Sequence, residues 1–132
     1  MEILSKDLLR LENIIYEITK IGEELKNDLD TAVRQRNLNY LVVIPNISTI
    51  KSLMSMLIIE SISIFSKNIE LPKELLELEF DLRYLIKEQD DSNNVKKDFL
   101  LDSLIIQLEE LNREKLISNI LDQASNEPIR II

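Results

Sequence analysis

The sequence predicts an all-α protein: a single domain over residues 1–132, folded as a bundle of four to five helices, two of them long. Three observations carry that expectation. Apolar residues at Leu4, Leu8, Leu11, Ile15, Ile18, Leu25, Leu29 and Ala32 alternate steps of four and three, with Gly22 in the slot between Ile18 and Leu25. This is a heptad seam held for about four repeats. Turn formers are scarce, at one glycine and three prolines, whereas an all-β chain needs many more for its hairpins. Finally, 45% of the residues are hydrophobic and 30% charged, which is ordinary for a folded domain and too apolar for disorder.

The first long helix is expected over about residues 5–30. Ser5 is its expected cap, and Asp7 suits the positive end of the helix dipole. Glu17 and Lys20 make an i,i+3 pair on its outer face. Gly22 costs about 1 kcal/mol of helix propensity, which a close helix crossing at that point would offset. After Leu29 the pattern weakens, because Arg36 and Asn37 break the stripe. The run "LNYLVVI" (38–44) ends at Pro45, which biases Ile44 away from helical geometry. It reads as helix to about Leu41, with a short buried strand as the alternative.

Two shorter helices should follow as a central hairpin. The first, about 48–66, carries Ile47, Ile50, Met54, Leu57 and Ile64 on one stripe. Leu53, Ile58, Ile62 and Phe65 widen that stripe until little polar face remains, which predicts a hub buried nearly all round. Pro72 is expected as the first residue of the next helix, about 72–88, with Leu75, Leu78, Leu82 and Leu85 inward. "EQDDSNN" (88–94) is the clearest loop. The second long helix is expected over about 95–124, through Phe99, Leu101, Ile105, Leu108, Leu116 and Ile120, with Asn112 as a flaw in its stripe. The chain closes on an apolar tail, residues 126–132. Ile129 and Ile131 alternate there with Arg130 as in a half-buried strand; a ribbon with "YLVVI" (40–44), a groove on a partner and a disordered end are the three fates considered.

The chemistry the sequence excludes is wide. With no histidine and no cysteine, Ser-His and Cys-His nucleophiles, Cys-ligated metals and the Glu-x-x-His di-iron pattern are absent. One glycine leaves no Walker or dinucleotide loop. A formal net charge of −8 disfavours nucleic acid and anionic membranes. The start "MEILSKDLL" has no basic region before an apolar core, so no signal peptide is read there. The most apolar run, residues 53–65, contains Glu60 and falls short of the roughly 20 residues of a bilayer span. A cytoplasmic location without membrane contact is expected.

Few side chains remain as candidates. Glu74, Glu77, Glu88 and Asp91, written E-x-x-E then E-x-x-D, faintly resemble the Mg²⁺ motif of all-α nucleoside triphosphate pyrophosphohydrolases. The resemblance implies a Mg²⁺-bound pyrophosphate, with the acids carried on facing helices; here they fall on one helix and its exit. "DDSNN" (90–94) is a weak cation loop lacking the EF-hand pattern. Glu60 is expected at the bundle edge near Ser63 and Lys67. Arg34 and Arg36 are candidate phosphate contacts. No catalytic residue, cofactor site or metal site is assigned.

The expected function is therefore a non-enzymatic helical interaction or assembly protein, a homodimer or a small subunit of a larger complex. Its candidate contacts are Leu4, Leu8, Leu11, Ile129, Ile131 and Ile132, on the argument that the long helices protrude at one end and leave apolar positions to bury. A helical subunit of a nucleic-acid-processing complex is the first alternative, and a carboxylate-Mg²⁺ hydrolase the second.

Overall fold

The opening seam forms one unbroken helix, α1 (Ser5–Gln35), in a computed structural model that describes residues 1–90 and 94–132. Leu11, Ile14, Ile15, Ile18, Gly22, Leu25, Leu29 and Ala32 are its buried residues. The helix outruns its expected end because its stop lies at the residues that spoil the stripe. Arg36 turns left-handed (φ 51°, ψ 37°). Its N–H then donates to the Val33 carbonyl (3.3 Å), and the Asn37 N–H to that of Ala32 (3.1 Å), the paired closure of a Schellman motif.

The second helix, α2 (Tyr40–Phe65), corrects the expected break at Pro45. Asn39 caps it by accepting the Leu41 N–H at 3.1 Å, and Pro45 sits inside its second turn. Proline removes the N–H that would have reached the carbonyl four residues back. Here that carbonyl belongs to Leu41, a residue 86% exposed, where water can serve it. Residues 40–44 are thus the start of α2 and not a strand. The helix ends at Ser66, again left-handed (φ 53°).

α3 (Lys73–Lys87) begins directly after Pro72, which takes the cap position, and passes into a 3-10 turn, Glu88–Asp90. The expected final helix is two: α4 (Asn94–Glu109) and α5 (Arg113–Ala124). Asn112, the flaw in the stripe, is the reason. It adopts an extended backbone (φ −127°, ψ 116°), and its side chain accepts the Lys115 N–H at 3.1 Å, so it caps α5.

These helices form an all-α, up-down-up-down bundle. α2 runs antiparallel to α1 and is its most extensive neighbour; α4 and α5 pack on α1 in turn, and α3 packs chiefly on α4. The buried residues of α2 are Val43, Ile47, Ile50, Met54, Leu57, Ser61 and Phe65, a second seam stepping by three and four that meets that of α1. The opening seam thus pairs first with α2. At the α4–α5 break the chain passes Gly22, where an added Cβ would lie 3.4 Å from Leu108 Cδ2 and 3.5 Å from Leu111 Cδ1.

The tail docks within the chain. Strands β1 (Glu2–Ile3) and β2 (Arg130–Ile131) pair in parallel, Glu2 with Arg130 and Ile3 with Ile131. Arg130 N–H donates to Met1 O (2.9 Å), Ile132 N–H to Ile3 O (2.9 Å), and Ser5 N–H to Ile132 O (2.8 Å). The expected ribbon partner, 40–44, is helical and lies at the opposite end of α1. Ser5 is also not the cap: Leu4 holds that position without a side-chain bond, and the tail carbonyl takes up the first helical N–H in its place.

Candidate interaction surface

The expectation that α2 is buried all round does not hold. Its seam is buried, with Leu57 fully so, but Ile58 is half-buried and Ile59 is 66% exposed. Leu41, Val42, Met56 and Ile62 are also exposed, as are Ser48, Thr49, Ser52, Ser55 and Ser63. At 100° per residue these fall on one stripe opposite the seam. The reason is geometric. α3 has 15 residues against the 26 of α2 and spends its apolar face mainly on α4, so among the described residues no helix crosses the outer side of α2.

The stripe is uncharged. Between residues 40 and 66 the only charged side chains are Lys51 and Glu60, both half-buried and on opposite flanks. Glu60, half-buried at the bundle edge, pairs with Arg10 of α1 at 3.1 Å, while Lys67 Nζ donates to Ala124 O at 2.8 Å. A shallow groove lies on each side of the stripe. Lys51, Ile58, Ile59, Leu71 and Glu79 line one, and Lys6, Leu9, Arg10, Met56 and Glu60 line the other.

The run 53–65 is only half of the helix that forms. Among the described residues α2 is the one helix long and apolar enough, by length and composition, to cross a membrane, with 28% of its most apolar window buried. The length argument against a span therefore does not apply to α2 as it stands.

A second apolar patch lies between α3 and α4, where Leu76 and Phe80 are exposed beside Asp81, Ser103 and Gln107. Gln107 Nε2 donates to both Asp81 and Ser103, leaving its buried Oε1 without a partner.

The structure separates the residues singled out from sequence. Leu11 is fully buried and Leu8 half-buried against the core, while Leu4 is exposed. Ile129 is half-buried, and Ile131 and Ile132 are exposed. Strand pairing brings Leu4 beside Ile132 at one end of the bundle. Arg34 and Arg36 are exposed at the end of α1, with Arg34 donating to Thr31 Oγ1 at 3.3 Å. Glu77 and Glu88 are eleven residues apart on α3 and its exit, about 16 Å by helical rise, too far to share one cation. Glu77 pairs with Lys73 and Glu88 with Lys96. Asp91, and with it most of "DDSNN", lies outside the described residues. Among the described residues no group of acids is placed to hold a metal ion.

Among the described residues three groups have raised pKa values. Burial, then the charges of Glu88 and Asp90, pushes the Tyr40 hydroxyl up. Lys26 is raised first by its bond to Glu109, and Lys96 by its bond to Tyr84. Lys26 Nζ, 3.5 Å from Asp30 and 3.3 Å from Glu109, ties α1 to α4.

The sequence reading missed Met56, Ile59 and Ile62 as a surface. The signal was present: α2 carries two stripes, the second mixed with hydroxyl residues, and a two-faced helix needs two partners. Compared with protein-family models, curated proteins and solved structures, the chain matches none.

Proposed function

We propose that this chain is a non-enzymatic helical interaction protein whose binding surface is the outer face of α2. One observation carries the reading: an uncharged stripe of Met56, Ile59 and Ile62 among serines and a threonine, exposed on a protein that is 30% charged overall. Contiguous apolar surface of this kind marks association sites, and removing charge from the centre of a patch is what distinguishes an interface core from ordinary surface. The stripe sits on the back of a rigid seam, so the surface is preformed and a partner need not order it. The patch at Leu76 and Phe80 is flanked by Glu77 and Asp81, which makes it the poorer core.

The test is affinity purification of the tagged chain from its source cells in three forms. Association, with its own kind or another protein, is expected for the wild type and for Phe80→Ser, and is expected to be lost in Ile59→Glu with helicity unchanged. Association that survives Ile59→Glu would refute the assignment of the surface. The Arg34–Arg36 pair supports the nucleic-acid alternative less well, since those side chains lie at one helix end of an acidic protein.

A further inference from the structure

The outer stripe of α2 has an internal symmetry. About a point midway between Ser55 and Met56, three large residues of the stripe each mirror a small one, whereas Leu41 and Val42 at the helix start have no counterpart within α2. Met56 mirrors Ser55, Ile59 mirrors Ser52, and Ile62 mirrors Thr49, while Ser48 mirrors Ser63. All eight residues are exposed.

We infer that the partner of this face is a second copy of the chain, packed helix against helix and antiparallel, with a two-fold axis passing between Ser55 and Met56. The inference rests on the reading of α2's outer face as a binding surface and names its occupant. A two-fold contact sets residue i against j and j against i. In this register the half of the stripe with Ile59 and Ile62 lies over the half with Ser48, Thr49 and Ser52 of the other copy, while Met56 meets its own counterpart beside the axis; large against small is how facing helices interdigitate without voids. An unrelated partner would impose no such mirror on this sequence.

The charges agree with the same register. Two copies at −8 each repel, so they can meet closely only through an uncharged face. Antiparallel pairing puts both Lys51 side chains on one edge and both Glu60 side chains on the other. Each like pair is nine residues apart along the axis, about 13.5 Å, which exceeds the Debye length of about 10 Å at 0.1 M salt.

The area sets the strength. Residues 48–63 span about 24 Å and a helix face is about 10 Å wide, roughly 240 Å² per copy against the 800 Å² or so of a stable interface. The flanking Leu9, Leu41, Val42 and Leu71 add to this without reaching it. The dimer is accordingly reversible and concentration-dependent.

Disulfide trapping tests the register, because the chain has no cysteine of its own. Ser55→Cys and Ser63→Cys change exposed residues. In the proposed dimer the two copies of residue 55 lie side by side at the axis, within the roughly 7 Å Cα separation a disulfide allows. The two copies of residue 63 are fifteen residues apart along the axis, about 22 Å. Under mild oxidation at about 100 μM, Ser55→Cys is expected to cross-link at least tenfold faster than Ser63→Cys. Adding Ile59→Glu should abolish the cross-link. Equal trapping at both positions would overturn the antiparallel register. A wild type that stays monomeric at every concentration would overturn the second copy as occupant. If Ile59→Glu then costs the chain a different protein, the function reading survives without this one. If the monomer instead floats with neutral phosphatidylcholine vesicles, a membrane surface takes the stripe and both readings fall.

Discussion

α1 and α2 are the two longest helices and pack seam to seam, yet they present opposite chemistry to solvent. The outer side of α1 carries Glu12, Glu17, Lys20, Glu23 and Glu24, all exposed. That of α2 carries serines, a threonine, Met56, Ile59 and Ile62. A heptad seam identifies the face that meets the core. It says nothing about the face behind, and in α2 that second face is where surface chemistry departs from the rest of the molecule. α1 turns a mainly charged face to solvent, interrupted by Leu9 and Tyr16, whereas α2 serves the fold on one side and has uncharged, partly apolar surface on the other.

The sharpest division is within α2 itself. Leu57 is fully buried and Ile59, two residues on, is 66% exposed. Leu57→Ala is expected to cost about 2–5 kcal/mol in urea unfolding, from lost burial plus a residual cavity. Ile59→Ser, measured at low concentration, should stay within about 0.5 kcal/mol of wild type. Similar losses at both positions would erase the distinction between the two faces.

The start of α1 offers the next largest effect. Its first turn is capped by the tail and not by its own side chains, so deleting residues 127–132 removes at least three backbone hydrogen bonds between the termini and uncovers Ile3, now 3% exposed. At about 0.5–1.5 kcal/mol per hydrogen bond, partly offset by the freed tail entropy, a loss of roughly 1–3 kcal/mol is expected in thermal or urea unfolding. Unchanged stability would mean that the strand pairing contributes nothing in solution.

The middle of α1 gives a smaller change of opposite sign. The space at Gly22 admits a methyl group at ordinary contact with Leu108 and Leu111. Gly22→Ala should therefore keep most of the helix propensity difference and stabilise by up to about 1 kcal/mol. A loss would show that the α4–α5 break presses closer than these distances.

The smallest effect lies at the first residue of α2. The Tyr40 hydroxyl titrates above its usual 10.0 in the fold. A folded value above the unfolded one gives stability that is complete below pH 10 and lost as pH rises through the folded value. Lys26 and Lys96, also raised, act in the same direction. Unfolding midpoints followed from pH 8 to 11 should fall only above about pH 10, and less steeply in Tyr40→Phe.

Much of this architecture was legible, and the departures share a physical origin. The seam of α1, the burial of Leu57 and the inward leucines of α3 follow from periodicity, because a 3.6-residue period decides which face is apolar. Three boundaries did not follow. Pro45 reads as a stop in the sequence, but one missing hydrogen bond near a solvated helix start is a small cost beside the burial of Val43 and Ile47. Asn112 reads as a flaw in a stripe, whereas its side chain caps a new helix. Arg36 ended α1 by a left-handed turn that no glycine announced. The surface was harder still: apolar residues all round a helix predict burial only when neighbours exist to bury them, and the short α3 left one side open. Of the contacts proposed at the ends of the chain, Leu4, Ile131 and Ile132 remain at the surface, while Leu11 went to the core.

The division of labour in α2 is tested most directly by light scattering across a range of concentrations, comparing the wild type with Ile59→Glu. The wild type is expected to rise from its chain mass of 15.4 kDa toward twice that value only as concentration approaches about 1 mM, in keeping with an interface well below the standard size. Ile59→Glu is expected to stay at the monomer mass with an unchanged unfolding midpoint at low concentration. A wild type held at the monomer mass, or a variant that dimerises equally well, would contradict it.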